Sequence, residues 1–361
     1  MIDLLNSGQI GQARSECTSS LTLTFNDLTF RLFANNPEIL SYLDDYYAGL
    51  TDSATASTEL SLFLFDGTAD TAQVDWHPVK RAKASALGLK EAYADTAEGR
   101  WIHKVRTGMV MFQSLQSPMV VGDLLKNRAQ VVNFINNQFL NHQQRQRYLL
   151  GHASAFTVNG DTTAIAASSG GGKSTLMLRA MESSGTRFLS NDRILFQPEA
   201  EHVRVLGVAK HPRVNPGTLV NSERLISILP EAERAKFEGM PTAQLWEIEQ
   251  KYDVLISQAY GESRANLSGH LKNLILLDWS LNSSTPTELC PVDISKTPDA
   301  LDGLRKNPGP FFQLQDGTFP PEHTQPASVY AQHLPGVQVY RLTGQVDFDR
   351  AIELLQERGI L

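Results

Sequence analysis

The chain has 361 residues, 41% apolar and 20% charged, the profile of a soluble globular protein with room for two domains. A net charge of −7 supplies no global positive field for nucleic acid or an anionic membrane, and no apolar run approaches the roughly 20 residues that span a bilayer. Cys17 and Cys290 are the only cysteines, and the nine histidines have no ligand spacing, which disfavours a zinc site, a disulfide framework or a protein-held transition metal. With no basic n-region and apolar core at the N-terminus, the sequence predicts a cytoplasmic protein.

Residues 1–148 read as a smaller α/β domain. "LTLTFNDLTFRLF" alternates as a half-buried strand does. "NNPEILSYLDDYYAGL" predicts a helix with Asn36 as N-cap and Pro37 at its first position; Ile39, Leu40, Leu43, Tyr46, Tyr47 and Leu50 form its apolar stripe. "LSLFLFDG" is strand-like, residues 66 to 98 read as a loop or insertion, and "RWIHKVRTGMVMFQSL" reads as a strand or a hairpin. Val132, Phe134, Ile135 and Phe139 have helical spacing and lead into a second domain over 149–361.

There "SAFTVNGDTTAIA" predicts two strands joined at Asn159–Gly160. Next comes "AASSGGGKST", which fits the phosphate-loop pattern G-x-x-x-x-G-K-[ST] with Ala167 at the first glycine position. A strand runs in and a helix runs out from Lys173 to a stopping Gly185, so the turn would set amides and a helix dipole against phosphate oxygens. Ser169, Gly170, Gly171, Gly172, Lys173, Ser174 and Thr175 are the expected nucleotide contacts, with Lys173 on the β- and γ-phosphates of ATP and Ser174 on Mg²⁺. A flexible Gly–Ser linker would not need the Lys-Ser-Thr helix start.

Farther on, "TRFLSNDRILFQPEAEHVRVLGVA" supplies two or three strands, with Asn191–Asp192 at a strand end. A carboxylate there can hold Mg²⁺ or accept a proton from an attacking hydroxyl; an ordinary Asx turn is the plainer reading. In "VAKHPRVNPGT", Lys210 and Arg213 lie three apart in a segment whose shape Pro212 and Pro216 would pin, as cations that clamp a phosphoryl group or an acidic substrate do. "EIEQKYDV" reads as a charged helix end, and Lys104 and Arg106 as neighbours on one strand face. Trp101, Trp246 and Trp279 read as core, "HLKNLILLDW" as a buried strand, and "DFDRAIELLQERG" as a closing helix.

The loop, its helix and "FLSNDRILF" resemble the core of HPr kinase/phosphorylase and its relatives, a fold shared with phosphoenolpyruvate carboxykinases. "KVRTGM", "GVAKHPRVNPGT", "LWEIEQKYDV" and "LTGQVDFDRA" are similar to the HPr kinase-related kinase B branch. The resemblance implies an α/β kinase core with a mixed sheet, an acceptor that is a serine on a protein, a role for His152 in "GHASAF", and a homo-oligomer. Two positions depart from the family: Asn191 where it has the first of two aspartates, and Thr175 where it has an acidic residue. The expected activity is ATP- and Mg²⁺-dependent phosphoryl transfer to a hydroxyl of a protein or a small molecule, with Asp192, Lys173, Lys210, Arg213 and His152 as its working residues. A nucleotide-binding switch and a carboxykinase-like enzyme remain open alternatives.

Overall fold

Two mixed sheets organise the chain, and they fall in different units. The computed structural model describes residues 1–52, 56, 58–79, 88–168, 170–321 and 324–361. One unit is Met1–Gln146 with Asn307–His323, the other Arg147–Lys306 with Thr324–Leu361. The protein is mixed α/β throughout.

In the first unit, the stretch expected as one strand is a hairpin, β1 (Ser19–Phe25) and β2 (Leu28–Ala34). Asn26 makes the turn at φ 52°, a left-handed conformation that asparagine tolerates better than most residues. Helix α1 (Pro37–Tyr47) starts as its sequence signals: the Asn36 side chain accepts from the Glu38 amide at 3.0 Å. Strand β3 (Thr58–Asp66) follows.

The region expected as a loop carries β4 (Ala92–Thr96), whose few apolar residues hide it from a periodicity reading; residues 80–87 lie outside the described residues. Strands β5 (Gly99–Lys104) and β6 (Met109–Gln113) form the hairpin, then come β7 (Met119–Gly122) and helix α2 (Arg128–Arg145). The sheet order is β1-β2-β3-β7-β6-β5-β4, with His77–Pro78 beyond β4. Trp101, Phe112, Met119 and Val121 pack beneath it, each large side chain worth about 1.5–3 kcal/mol when removed from water.

The segment that begins at Asn307 joins this unit, a return that the simple division at 148/149 lacks. Asn141 donates to the Phe311 carbonyl at 2.7 Å, Gln113 donates to Gln313 at 3.3 Å, and the Phe311 ring meets Phe134 edge-on at 5.7 Å. Buried amides on α2 and β6 thereby gain partners from a distant piece of chain, beside the Gln113–Gln138 pair they make with each other.

The second unit opens with β8 (Leu149–Gly151), then the hairpin β9 (Ala153–Val158) and β10 (Asp161–Ala166), turned at Asn159 and Gly160 with φ 51° and 92°. Helix α3 (Lys173–Ala180) leads to β11 (Thr186–Ser190), β12 (Ile194–Pro198) and β13 (Val203–Gly207). A short ribbon of β14 (Arg213–Val214) and β15 (Tyr252–Asp253) brackets several short helices. The long β16 (Ser268–Ser280) is followed by β17 (Glu288–Pro291), β18 (Gln338–Gln345) and helix α4 (Phe348–Glu357).

The order is β8-β12-β13-β16-β10-β9-β11, with β18 and then β17 attached along the second half of β16. Strand β16 is the spine: β10 lies along one side, while β13 and β18 share the other. Its Leu274 and Leu276 pack with Ala164, Leu189, Phe196 and Tyr330 in one apolar cluster. No helix among the described residues is long and apolar enough to cross a membrane.

Candidate functional site

Strand β9 runs antiparallel between β10 and β11, pairing Ala153 with Ala166 on one side and Ala155 with Ser190 on the other. Three chain ends therefore meet at one edge of the sheet. His152 enters β9, the glycine turn leaves β10, and Asn191–Asp192 leave β11. The turn and the carboxylate do not sit on neighbouring parallel strands; the strand between them carries the histidine.

Gly170 and Gly172 have φ of 80° and 93°, and Gly172 caps α3 by accepting from the Leu176 amide at 2.9 Å. A Cβ on Gly171 would stand 2.8 Å from the Ala167 Cβ, so the turn closes only without one. Ser169 lies outside the described residues. The Trp279 indole donates to the Gly171 carbonyl at 3.0 Å, and the Phe348 ring meets that indole edge-on at 5.0 Å. Trp279 is thus a brace for the turn, and Trp246 lines the cleft; neither is the core residue that composition suggests.

Lys173 is 8% exposed and donates to the carbonyls of Ala167 and Ser168 at 3.0 and 3.1 Å. Burial lowers its pKa to about 8, with Asp192 opposing the shift and Lys306 and Lys251 adding to it. Ser174 and Ser154 both donate to the Asn191 side-chain oxygen, at 2.7 and 2.8 Å. Thr175 shares a 2.7 Å hydrogen bond with Thr218.

Asp192 sits at φ 72°, its carboxylate 3.5 Å from His152 Nε2 and 3.6 Å from Arg193 Nε. Burial alone would raise its pKa; the His152 hydrogen bond and the charges of Arg193 and Lys306 win and hold it well below the usual carboxylate range. Lys210 and Lys306 shift down, each chiefly through burial. Arg213 is paired with Asp253 at 3.1 Å, so its charge is partly spent within the protein. Lys251 follows α-helical residues but precedes β15, so it lines the cleft from a strand edge rather than capping a helix.

His152, Gly170 to Thr175, Asn191, Asp192, Lys210 and Arg213 line one cleft of about 610 Å³ together with Arg179, Asn215, Lys251 and Phe348. Lys104 and Arg106 belong to the first unit, where Lys104 is ion-paired with Glu91. Arg193, Lys306, Trp279 and Phe348 join the site without a role predicted for them. Arg193 lies in "FLSNDRILF" beside the aspartate and Phe348 in "LTGQVDFDRA", while Lys306 and Trp279 come from stretches with no signal of the site.

No group of three His, Cys, Asp or Glu side chains among the described residues could hold a metal ion. Mg²⁺ needs no such cage, because it keeps waters and takes one or two protein ligands plus phosphate oxygens. Ser174, its proton committed to Asn191, and the ionised Asp192 fit that requirement.

Neither a protein-family profile nor a curated protein matches the chain. Among solved structures, the HPr(Ser) kinase/phosphatase from Coxiella burnetii is similar at 10% identity, covering 58% of this chain and 90% of that one, with a TM-score of 0.30.

Proposed function

We propose that this chain is an ATP- and Mg²⁺-dependent kinase that transfers the γ-phosphate to a hydroxyl acceptor. The observation that carries the reading is the convergence, at one sheet edge, of a glycine turn opening a helix, a buried lysine, and a carboxylate paired with a histidine. Positioning and charge neutralisation are most of what phosphoryl transfer asks of a protein.

In this reading the α3 amides and Lys173 cradle the phosphates, Lys173 exchanging its two carbonyl partners for phosphate oxygens. Mg²⁺, held by Ser174 and Asp192, would draw charge from the phosphate oxygens. The acceptor oxygen bonds to the γ-phosphorus, the bond to the β–γ bridging oxygen breaks, and ADP leaves with that electron pair. The hydroxyl proton passes to the Asp192–His152 pair. Arg213 offsets charge on the transferring group. The motif resemblance points to a serine of a protein as acceptor, and a small-molecule alcohol meets the same chemistry.

A nucleotide-binding switch is the second reading, favoured by the single carboxylate at Asp192 where the resembled kinases have two. Transfer of γ-labelled phosphate into extract of the source cells separates the two. A labelled species that needs both Lys173 and Asp192 is the kinase result. ATP binding without label in any species is the switch result.

A further inference from the structure

We propose that the acceptor carries a carboxylate or phosphate group beside its reactive hydroxyl, and that Lys210 and Lys251 hold that second anion. The inference rests on the kinase reading and names the class of acceptor for it.

The first observation is a surplus of charge. Lys173, Lys210, Lys251 and Lys306 stand in or just behind the cleft, and none has a carboxylate within 4.0 Å among the described residues. Asp192 is already answered by His152 and Arg193, Asp253 by Arg213, and Asp349 by Arg179; Asp347 caps α4. A Mg²⁺-bound nucleoside triphosphate brings roughly two negative charges, enough for about two of the four lysines. Burial of Lys210 costs it solvation, which a protein tolerates where a counter-charge arrives with the ligand.

The second observation is an orphaned acceptor. The Asn215 Oδ1 atom is buried and has no hydrogen-bond partner among the described residues. Antiparallel pairing joins Arg213 to Asp253 and Val214 to Tyr252, so one register step on brings Asn215 opposite Lys251, and both line the cleft. A buried carbonyl oxygen without a donor is costly, and a turn of the Asn215 side chain that presents it to a bound donor relieves it. Beside an ammonium, that oxygen suits a ligand with an O–H or N–H donor adjacent to an anion. A neutral alcohol would supply the donor and leave the lysines unanswered.

Lys210 and Lys251 lie on the segments flanking the β14–β15 ribbon, separate from the glycine turn that would take the nucleotide. Acceptor and nucleotide terms should therefore separate in kinetics. Extract of the source cells is passed over an anion exchanger, and the retained and unretained material is each divided into protein and small solutes. All four fractions receive γ-labelled ATP, Mg²⁺ and the full-length chain.

Label is expected only in retained material, in the protein arm for an acidic segment and in the small-solute arm for a free hydroxy acid or phosphorylated alcohol. With the labelled fraction as acceptor, Lys210→Gln or Lys251→Gln should raise the half-saturating acceptor concentration roughly ten- to a hundredfold and leave the KM for ATP in place, the worth of one charge-assisted hydrogen bond. Lys251→Arg should restore most of the loss. Label in the unretained fractions, or lysine variants that move the KM for ATP instead, overturns the proposal. No label in any fraction while ATP binds removes the kinase reading itself, and the acceptor class with it.

Discussion

The Ser174 hydroxyl donates to the Asn191 side-chain oxygen at 2.7 Å, and Ser154 donates to the same atom at 2.8 Å. Asn191 is therefore not a vacant carboxylate position. Its oxygen fixes the Ser174 proton, so that the hydroxyl's lone pairs are turned to whatever occupies the cleft. A neutral amide does this without adding a second negative charge beside Asp192, whose carboxylate lies next in the chain.

This arrangement predicts opposite behaviour for two substitutions at one position. Asn191→Asp keeps an acceptor for both serines and should preserve folding, while tightening Mg²⁺-dependent nucleotide binding through the added charge. Asn191→Ala strands the fully buried Ser154 hydroxyl and should cost about 1–3 kcal/mol in urea unfolding, with nucleotide affinity lost as well. Equal effects of the two changes would show that the amide itself, rather than its oxygen, is what matters.

Asp192 calls for care in choosing a variant, because its φ of 72° is part of the site. Asparagine accepts that conformation, whereas alanine there meets a backbone penalty of about 1–2 kcal/mol. Asp192→Asn keeps the backbone conformation and removes the charge; it should lower phosphoryl transfer about 10²- to 10⁴-fold and lower the melting temperature less than Asp192→Ala does. Asp192→Ala should lose both. Transfer that survives Asp192→Asn within a few-fold would take the carboxylate out of the mechanism.

The difference between what the sequence discloses and what it hides follows the range of the interactions. Asn36 before Pro37, Asn159–Gly160 between alternating runs, and three glycines before Lys173 are local devices, each legible because its partners lie within a few residues. Strand order is not local. Strand β16 pairs with β10 about a hundred residues earlier and with β18 some sixty later, and many apolar strands could satisfy the same pattern. Trp279 looks like core in sequence for the same reason, since the β10–β16 pairing carries it to Gly171 and the β16–β18 pairing brings Phe348 beside it. Lys306 has no motif around it; its place near Asp192 comes from the chain leaving the 3₁₀ turn Pro298–Gly303, whose Gly303 packs on Ala167.

The brace on the turn can be tested apart from the chemistry. Trp279→Phe keeps the ring packed on Phe348 and deletes only the donor to Gly171, so nucleotide affinity should weaken roughly two- to tenfold, the worth of one net hydrogen bond. Gly172→Ala should do more damage, because it combines φ 93° with a new Cβ 3.1 Å from the Phe348 ring. Far-UV circular dichroism should show both variants folded. Affinity unaltered in Trp279→Phe would mean that the turn holds its shape without the indole.

In its proposed nucleotide-binding role, Lys173 ties affinity to pH. In the folded protein its pKa is lowered by burial to about 8 from an ordinary 10.5. Between those values the unfolded chain holds the proton and the folded chain does not, so this lysine makes unfolding harder as pH rises through the window, and its burial is most costly below about 8. Bound phosphates act in the other sense, since they favour the ammonium form and return its pKa upward. Above about pH 8 nucleotide binding must then take up a proton, and affinity falls by up to about tenfold per pH unit. Isothermal titration of ADP in buffers of different ionisation enthalpy measures that proton directly. Wild type should take it up and Lys173→Ala should not; proton uptake that is the same in both would place the titrating group elsewhere in the cleft.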